Sequence, residues 1–381
     1  MKILVICSTL DLSKPFGATP YLWQLFKGFY EEGHELLVIP YHGFAIDTVW
    51  WRSVQNPNYY KGLLLEKILR VFERSTPKTV DDSVIPKLGR LLVKPKLYKL
   101  IDKILRQVKN IEAVLMVAIP LNQVKGLANQ IRDHHRIPIV YYDLDVPSSL
   151  PSQGGFTFNY LKGADLSEYD SIIIPSEGSV TELRELGARD VKVVHFGVDP
   201  EVFSPLLLNK DFDFFFFGND GGARENNLKM MITEPSKLLE NNFTVSGRRI
   251  SIDLGRARIL EPLSFTEYRK YCCRAKVNLN VVRQLHAEVY GTSTSRPFEL
   301  AAMQCCIVSA PYNGSEKWFD TKKEILIAKS SKECIEIYKT LMDDSELRTS
   351  MGIAARNRLL KEHTTRHRAR QITEILKQNM Q

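Results

Sequence analysis

Continuous apolar runs alternate with helical patterns along the first half of this chain. Ile3–Cys7, Leu36–Ile39, Ala113–Ala118, Ile137–Tyr142, Ser171–Ile174 and Val191–His195 show no polar alternation. Runs of that kind fit strands covered on both faces, as in a parallel sheet. Tyr21–Glu32 and Val124–Asp133, lying between them, carry helical spacing. The order is that of repeated βαβ units, and it predicts a doubly wound sheet.

Pro200–Leu208 breaks the pattern with two prolines and weak periodicity, and reads as a linker. A second series follows: Phe212–Phe217, Ile250–Leu254, Ala257–Leu260, Val277–Val281, Ile307–Ala310 and Ile325–Ala328 as strands, with helices over Glu333–Asp343 and Glu346–Glu362. The expected fold is α/β, with two tandem Rossmann-like domains facing a cleft. The first spans residues 1–204 and the second 205–362. A basic helix follows over 363–381, which either crosses back to pack on the first domain or lies as a solvated surface helix.

Composition adds limits. At 381 residues the chain has room for two domains. No apolar stretch approaches the ~20 residues that span a bilayer. The opening Met1–Cys7 runs straight into a strand with no leader-cleavage pattern, which predicts a cytoplasmic location. The six cysteines fall as two adjacent pairs, Cys272/Cys273 and Cys305/Cys306, and two singles, Cys7 and Cys334. Without a C-x-x-C spacing they read as small buried hydrophobes rather than zinc ligands or a redox pair.

The net charge of +8 is local. Lys61–Lys109 holds 13 Lys and Arg against 5 Asp and Glu, which equals the whole excess. The remainder is balanced, so nucleic acid is not an expected partner. Within the stretch, apolar residues from Leu88 to Val108 recur near helical spacing, and Pro95 divides it into two helices. A core-facing helix with a lysine-rich exterior is the simpler reading. Peripheral contact with the inner face of a membrane through Lys61–Lys109 is the functional alternative.

The chemistry concentrates in Gly-Thr-Ser-Thr-Ser-Arg-Pro-Phe-Glu, residues 291–299. A small-residue loop between a strand and a helix start frees backbone N–H groups for phosphate oxygens. Arg296, in the first turn, is a phosphate-seeking cation. Glu299, a turn further on, is a carboxylate suited to a ribose diol, although it would also serve as a first-turn acid complementing the helix dipole. Arg224 beside Gly218, Gly221 and Gly222 is a second candidate for phosphate. Gly17, after the first strand, would let backbone approach a ligand. Asp143 and Asp145 end a strand, where a cleft would open.

Several of these residues carry a resemblance. Phe196-Gly197-Val198-Asp199 with Phe203 and Pro205, Val277-Asn278-Leu279-Asn280, Gly291, Ser295-Arg296-Pro297-Phe298-Glu299, and His363-Thr364 with Arg368 resemble the group-1, family-four-like retaining glycosyltransferases of GT-B fold. The C-terminal half is most similar to their spore-maturation-protein-like branch. The resemblance implies transfer of a sugar from a nucleoside-diphosphate sugar to an acceptor hydroxyl of a glycan, a lipid-linked molecule or a protein. It implies no metal and no cofactor, the nucleotide sugar being a co-substrate. Glu299 would grip the ribose, while Ser293, Thr294, Ser295 and Arg296 hold the diphosphate with Arg224. The family's first glutamate, eight positions before the second, is Gly291 here, and the nearest acid is Glu288.

Asp143 and Asp145 would then orient the acceptor hydroxyl, with loop capping as the alternative. Their D-x-D spacing is like the metal motif of the other glycosyltransferase fold, but two tandem halves are unlike that fold. A nucleotide-sugar epimerase and a non-catalytic nucleotide-binding subunit remain as rival functions. A dinucleotide dehydrogenase is disfavoured because neither half opens with G-x-G-x-x-G.

Overall fold

A computed structural model describes residues 1–12, 19–60, 64, 84–153, 160–219, 223–247 and 250–380. The chain divides into two compact units, Met1–Val194 with Arg368–Gln381, and His195–His367. Gly17, Gly221, Gly222 and much of Lys61–Lys109 lie outside the described residues.

The first unit is built on β1 (Lys2–Cys7), β2 (Glu35–Pro40), β3 (Arg52–Ser53), β4 (Ile111–Val117), β5 (Ile139–Tyr142), β6 (Ser171–Ile174) and β7 (Val191–Val193), in the order β3-β2-β1-β4-β5-β6-β7. Every pairing is parallel. The strands need both faces covered, and Ile3 to Cys7 are fully buried. Helix Thr19–Glu31 supplies one cover by turning Leu22, Leu25, Phe26 and Phe29 inward at helical spacing.

Pro95 acts as expected. Helices Val84–Leu92 and Lys94–Gln107 meet at Val93, with the proline in the first turn of the second. There Leu97, Ile101 and Ile104 face the core, while Lys96, Lys99, Lys103 and Arg106 are exposed. This stretch is a core-facing helix with a basic exterior.

The second unit contains β8 (Phe212–Phe217), β9 (Phe243–Ser246), β10 (Arg258–Leu260), β11 (Ala275–Asn280), β12 (Ile307–Ser309) and β13 (Leu326–Ile327), ordered β10-β9-β8-β11-β12-β13. All are parallel, so the six repeat the strand order of the first unit's leading six. The phenylalanines of β8 serve both faces: Phe212 and Phe215 enter one apolar cluster, Phe214 and Phe216 the other.

Three expectations need correction. The strand expected over Ile250–Leu254 is irregular. Gly255, at φ +65°, donates its N–H to the Asp253 carboxylate and makes a turn there. The strand in that part of the sheet is β9, whose four residues lie between asparagines and a glycine and give little pattern. The boundary expected after residue 204 falls after Val194 instead. Val198 and Phe203 pack in the second unit's core, and Val198 bridges to Thr364, its N–H donating to the carbonyl of His363 at 3.1 Å. His363–His367 therefore stays with the second unit.

The final helix, Thr365–Gln378, is counted with the first unit from Arg368 onward. Ala369, Ile372 and Leu376 are fully buried. Arg370 pairs with Glu32, Thr373 bonds His34 at 3.1 Å, and Asn379 donates to Ser171 Oγ at 2.8 Å. All six cysteines are buried free thiols.

Candidate functional site

In open α/β sheets a ligand settles beyond the carboxyl ends of the strands, at the point where strand order reverses. In the second unit that point lies between β8 and β11. The segments leaving these strands are tied together. Gln284 donates its N–H to Ala223 O at 2.7 Å, and Asn227 Nδ2 donates to Val282 O at 3.2 Å.

Arg224 reinforces the tie, giving Nε to Val281 O and Nη1 to Asn219 O, both at 2.9 Å. Burial, then the like charges of Arg283 and Arg296, lower its pKa to about 9. It is still a cation at neutral pH. Three arginines thus crowd one edge of the sheet, an arrangement that favours an anion between them. His286, one helical turn after Arg283, is buried. Burial and then Arg283 and Arg224 hold its pKa at about 3, so the ring is neutral. Its Nδ1 has no hydrogen-bond partner among the described residues.

The loop before helix Ser295–Ala302 is braced from several sides. Tyr312 donates its hydroxyl to Thr292 O at 2.6 Å, and Ser293 Oγ accepts the N–H of Phe196 at 2.9 Å. Gly291 lies at φ +61°, a backbone region that disfavours any side chain. A Cβ on Gly314 would come within 2.5 Å of Gly291 N, so this corner is packed backbone to backbone. A glutamate at 291 would be strained. Thr294 occupies the N-cap position without a side-chain capping bond, and Ser293 is buried while Thr294, Ser295 and Arg296 are half-buried.

Glu299 and Arg296 lie together, but not as the sequence alone suggests. The Arg296 guanidinium sits 4.4 Å from the ring centroid of Tyr268 and 4.9 Å from that of Phe217, rings themselves stacked at 4.6 Å. Its Nη1 is buried without a hydrogen-bond partner among the described residues and lies 3.6 Å from Glu299 Oε2. The same carboxylate oxygen accepts the Tyr268 hydroxyl at 3.2 Å. Burial pushes the Tyr268 hydroxyl well above its ordinary pKa, so it remains a donor. The Arg296 side chain is thus turned toward Glu299, beside the stacked pair of rings.

In the first unit, Asp143 is buried at the end of β5 and spends its carboxylate on its own loop. Oδ1 accepts the N–H groups of Asp145 at 2.7 Å and Val146 at 2.9 Å, and the Ser149 hydroxyl at 3.1 Å; Oδ2 accepts from Tyr141 at 3.3 Å. Burial raises its pKa against the pull of these bonds. These bonds make Asp143 a cap of its own loop, the alternative that its position in the sequence also allowed. Asp145 is half-buried beside it. Among the described residues, no group of three or more His, Cys, Asp or Glu side chains is placed to hold a metal ion. None of the described helices is long and apolar enough to cross a membrane.

Arg283, His286, Tyr268 and Phe217 were not among the residues the sequence singled out. Arg283 and Phe217 had a usable signal, since each stands at the carboxyl end of a recognisable strand. Tyr268 had none: it lies 31 positions from Glu299 in the chain.

Residues 224–374 match the model of a family described as glycosyl transferase-like. No curated protein matches the chain in sequence. Among solved structures, sucrose-phosphate synthase from Thermosynechococcus elongatus is similar with a TM-score of 0.69 at 11% identity, over 99% of each chain. HepE from Anabaena, in complex with UDP, gives 0.64 at 14% identity, over 99% of this chain and 100% of its own. A glycosyltransferase from Rickettsia africae gives 0.62 at 12%, over 100% of this chain and 98% of its own. Identities this low speak to fold alone. The chain therefore has the GT-B fold of two Rossmann-like domains, and its residues 224–374 are similar to the glycosyl transferase-like family.

Proposed function

We propose that this protein is a glycosyltransferase that takes a sugar from a nucleoside-diphosphate sugar, with retention and without a metal. One observation carries the reading. The switch point of the second sheet brings Arg224 and Arg283 near a helix start, with the Glu299 carboxylate one turn in beside Arg296. Cations there suit a diphosphate, and a carboxylate at that distance along the helix suits a ribose diol.

In this reading the backbone of Ser293–Arg296 and the Arg224 guanidinium stabilise charge on the leaving diphosphate. The anomeric carbon exchanges its bond to the diphosphate oxygen for one to the acceptor oxygen. The acceptor's proton passes to the departing phosphate, so no protein base is required. The first unit takes the acceptor, near the carboxyl end of β5 where Asp143 and Asp145 stand. HepE binds UDP, which makes a uridine nucleotide the first donor to try. A membrane-borne acceptor is consistent with the exposed lysines of helix Lys94–Gln107.

Gly291 favours a second reading, in which the nucleotide binds but no sugar is transferred, since the family's sugar-contacting glutamate is absent and the backbone disfavours one. Calorimetric titration of the uridine, guanosine, adenosine and thymidine diphosphates decides the first point. One of them is expected to bind at micromolar strength, and binding by none would remove the reading. Sugar transfer from the matching donor separates the enzyme from the silent binder, and product formed without an acceptor would indicate an epimerase.

A further inference from the structure

We infer that Arg296 and Tyr268 are positioning residues that hold Glu299 for a ribose, and that Arg296 is not a phosphate ligand. The inference rests on the nucleotide reading of this site and deepens it.

A cation meant for phosphate should present its fork of N–H donors outward. Arg296 instead places its guanidinium carbon over the Phe217 and Tyr268 rings, which stack on one another, and Nη1 faces Glu299 at 3.6 Å with no other partner among the described residues. Stacking a guanidinium on aromatic faces fixes its plane and restricts where its charge can act. Tyr268 does two things at once: its ring packs Arg296 and its hydroxyl bonds Glu299 Oε2 at 3.2 Å. With Oε2 engaged by both neighbours, Oε1 is the oxygen left to receive a sugar hydroxyl. Without the tyrosine hydroxyl, the carboxylate gains freedom to rotate and loses its preset direction. Arg224, at the end of β8, and Arg283, after β11, are then the side-chain cations for the diphosphate.

The test separates ribose recognition from phosphate recognition. Wild-type protein, Tyr268→Phe and Arg296→Lys are titrated with the nucleoside diphosphate that binds best, with its 2′-deoxy counterpart, and with inorganic pyrophosphate. Wild-type protein should prefer the ribose form. Tyr268→Phe should lower affinity for the ribonucleotide about two- to tenfold, as loss of one hydrogen bond does, and narrow the preference over the deoxy form. Pyrophosphate affinity should be unchanged. Arg296→Lys keeps the charge but loses the planar stack, and should have the same signature. It also carries the test if Tyr268→Phe does not fold, which thermal unfolding reports. Parallel loss of pyrophosphate and nucleotide affinity in Arg296→Lys would make Arg296 a phosphate ligand and overturn the inference. So would an undiminished ribose preference in Tyr268→Phe. Wild-type protein that binds no nucleotide at all would remove the underlying reading and this inference together.

Discussion

Beyond β5 in the first unit stands Asp143, and beyond β11 in the second stands Arg283. Both leave strands of sheets with the same leading order, and both lie at the edge where such sheets receive ligands. Yet the first edge is internally satisfied, with Asp143 bonded to two backbone N–H groups and two hydroxyls. At the second edge three arginines act on one another, with the Glu299 carboxylate 3.6 Å from Arg296. Shared topology therefore does not share out chemistry. A polar group whose bonds close within its own loop supports the fold, while like charges held together leave a need that a ligand meets.

The contrast is open to attack from both ends. The largest effect should come from Asp143→Ala, which strands several buried donors at ~1–3 kcal/mol each. Urea unfolding should show a loss on that scale, with nucleotide affinity of the folded protein intact. A stable variant that fails to bind would move Asp143 into the site. Glu299→Ala should do the reverse. Its charge-assisted bonds to a ribose are worth ~1.5–3 kcal/mol each, or about ten- to a hundredfold in affinity by calorimetry, with little change in unfolding.

A smaller effect is confined to a pH window. The folded pKa of His286 is about 3, below the unfolded value near ~6.5. Between those values the unfolded chain binds the extra proton, so stability is full above the window and falls as pH drops through it. His286→Gln should flatten that slope by at most one proton, ~1.4 kcal/mol per pH unit. Equal slopes in denaturation series from pH 7 to 4 would show that the ring does not titrate this way. Least of all, Arg370→Ala should scarcely move the unfolding midpoint. Its pairing with Glu32 lies at the surface, and the buried Ile372 and Leu376 hold that helix.

The sheets were legible because their central strands are unbroken apolar runs, as in Ile3–Cys7. Short strands were not: β3 has two residues and β9 four, too few for a period to stand out. Ile250–Leu254 misled by alternating Ile250, Ile252 and Leu254 just before a turn that Asp253 and Gly255 make. In the candidate site, Ser295 to Glu299 could be read because a helix start is local in the chain. The direction of Arg296 could not, since two rings from distant elements decide it. Asp143 was readable as polar and at a strand end, but residue type alone does not say whether a carboxylate faces a ligand or its own loop.

The first unit is discontinuous in the chain. His195–His367 is inserted between its main body and its last helix. A ribosome adding roughly 5–20 residues per second takes on the order of ten to thirty seconds to make that insert. Through that interval the seat later filled by Ile372 and Leu376 is open on the nascent chain. The earliest-made unit is thus the last to be completed, and a chaperone that shields it during translation would act on this seat.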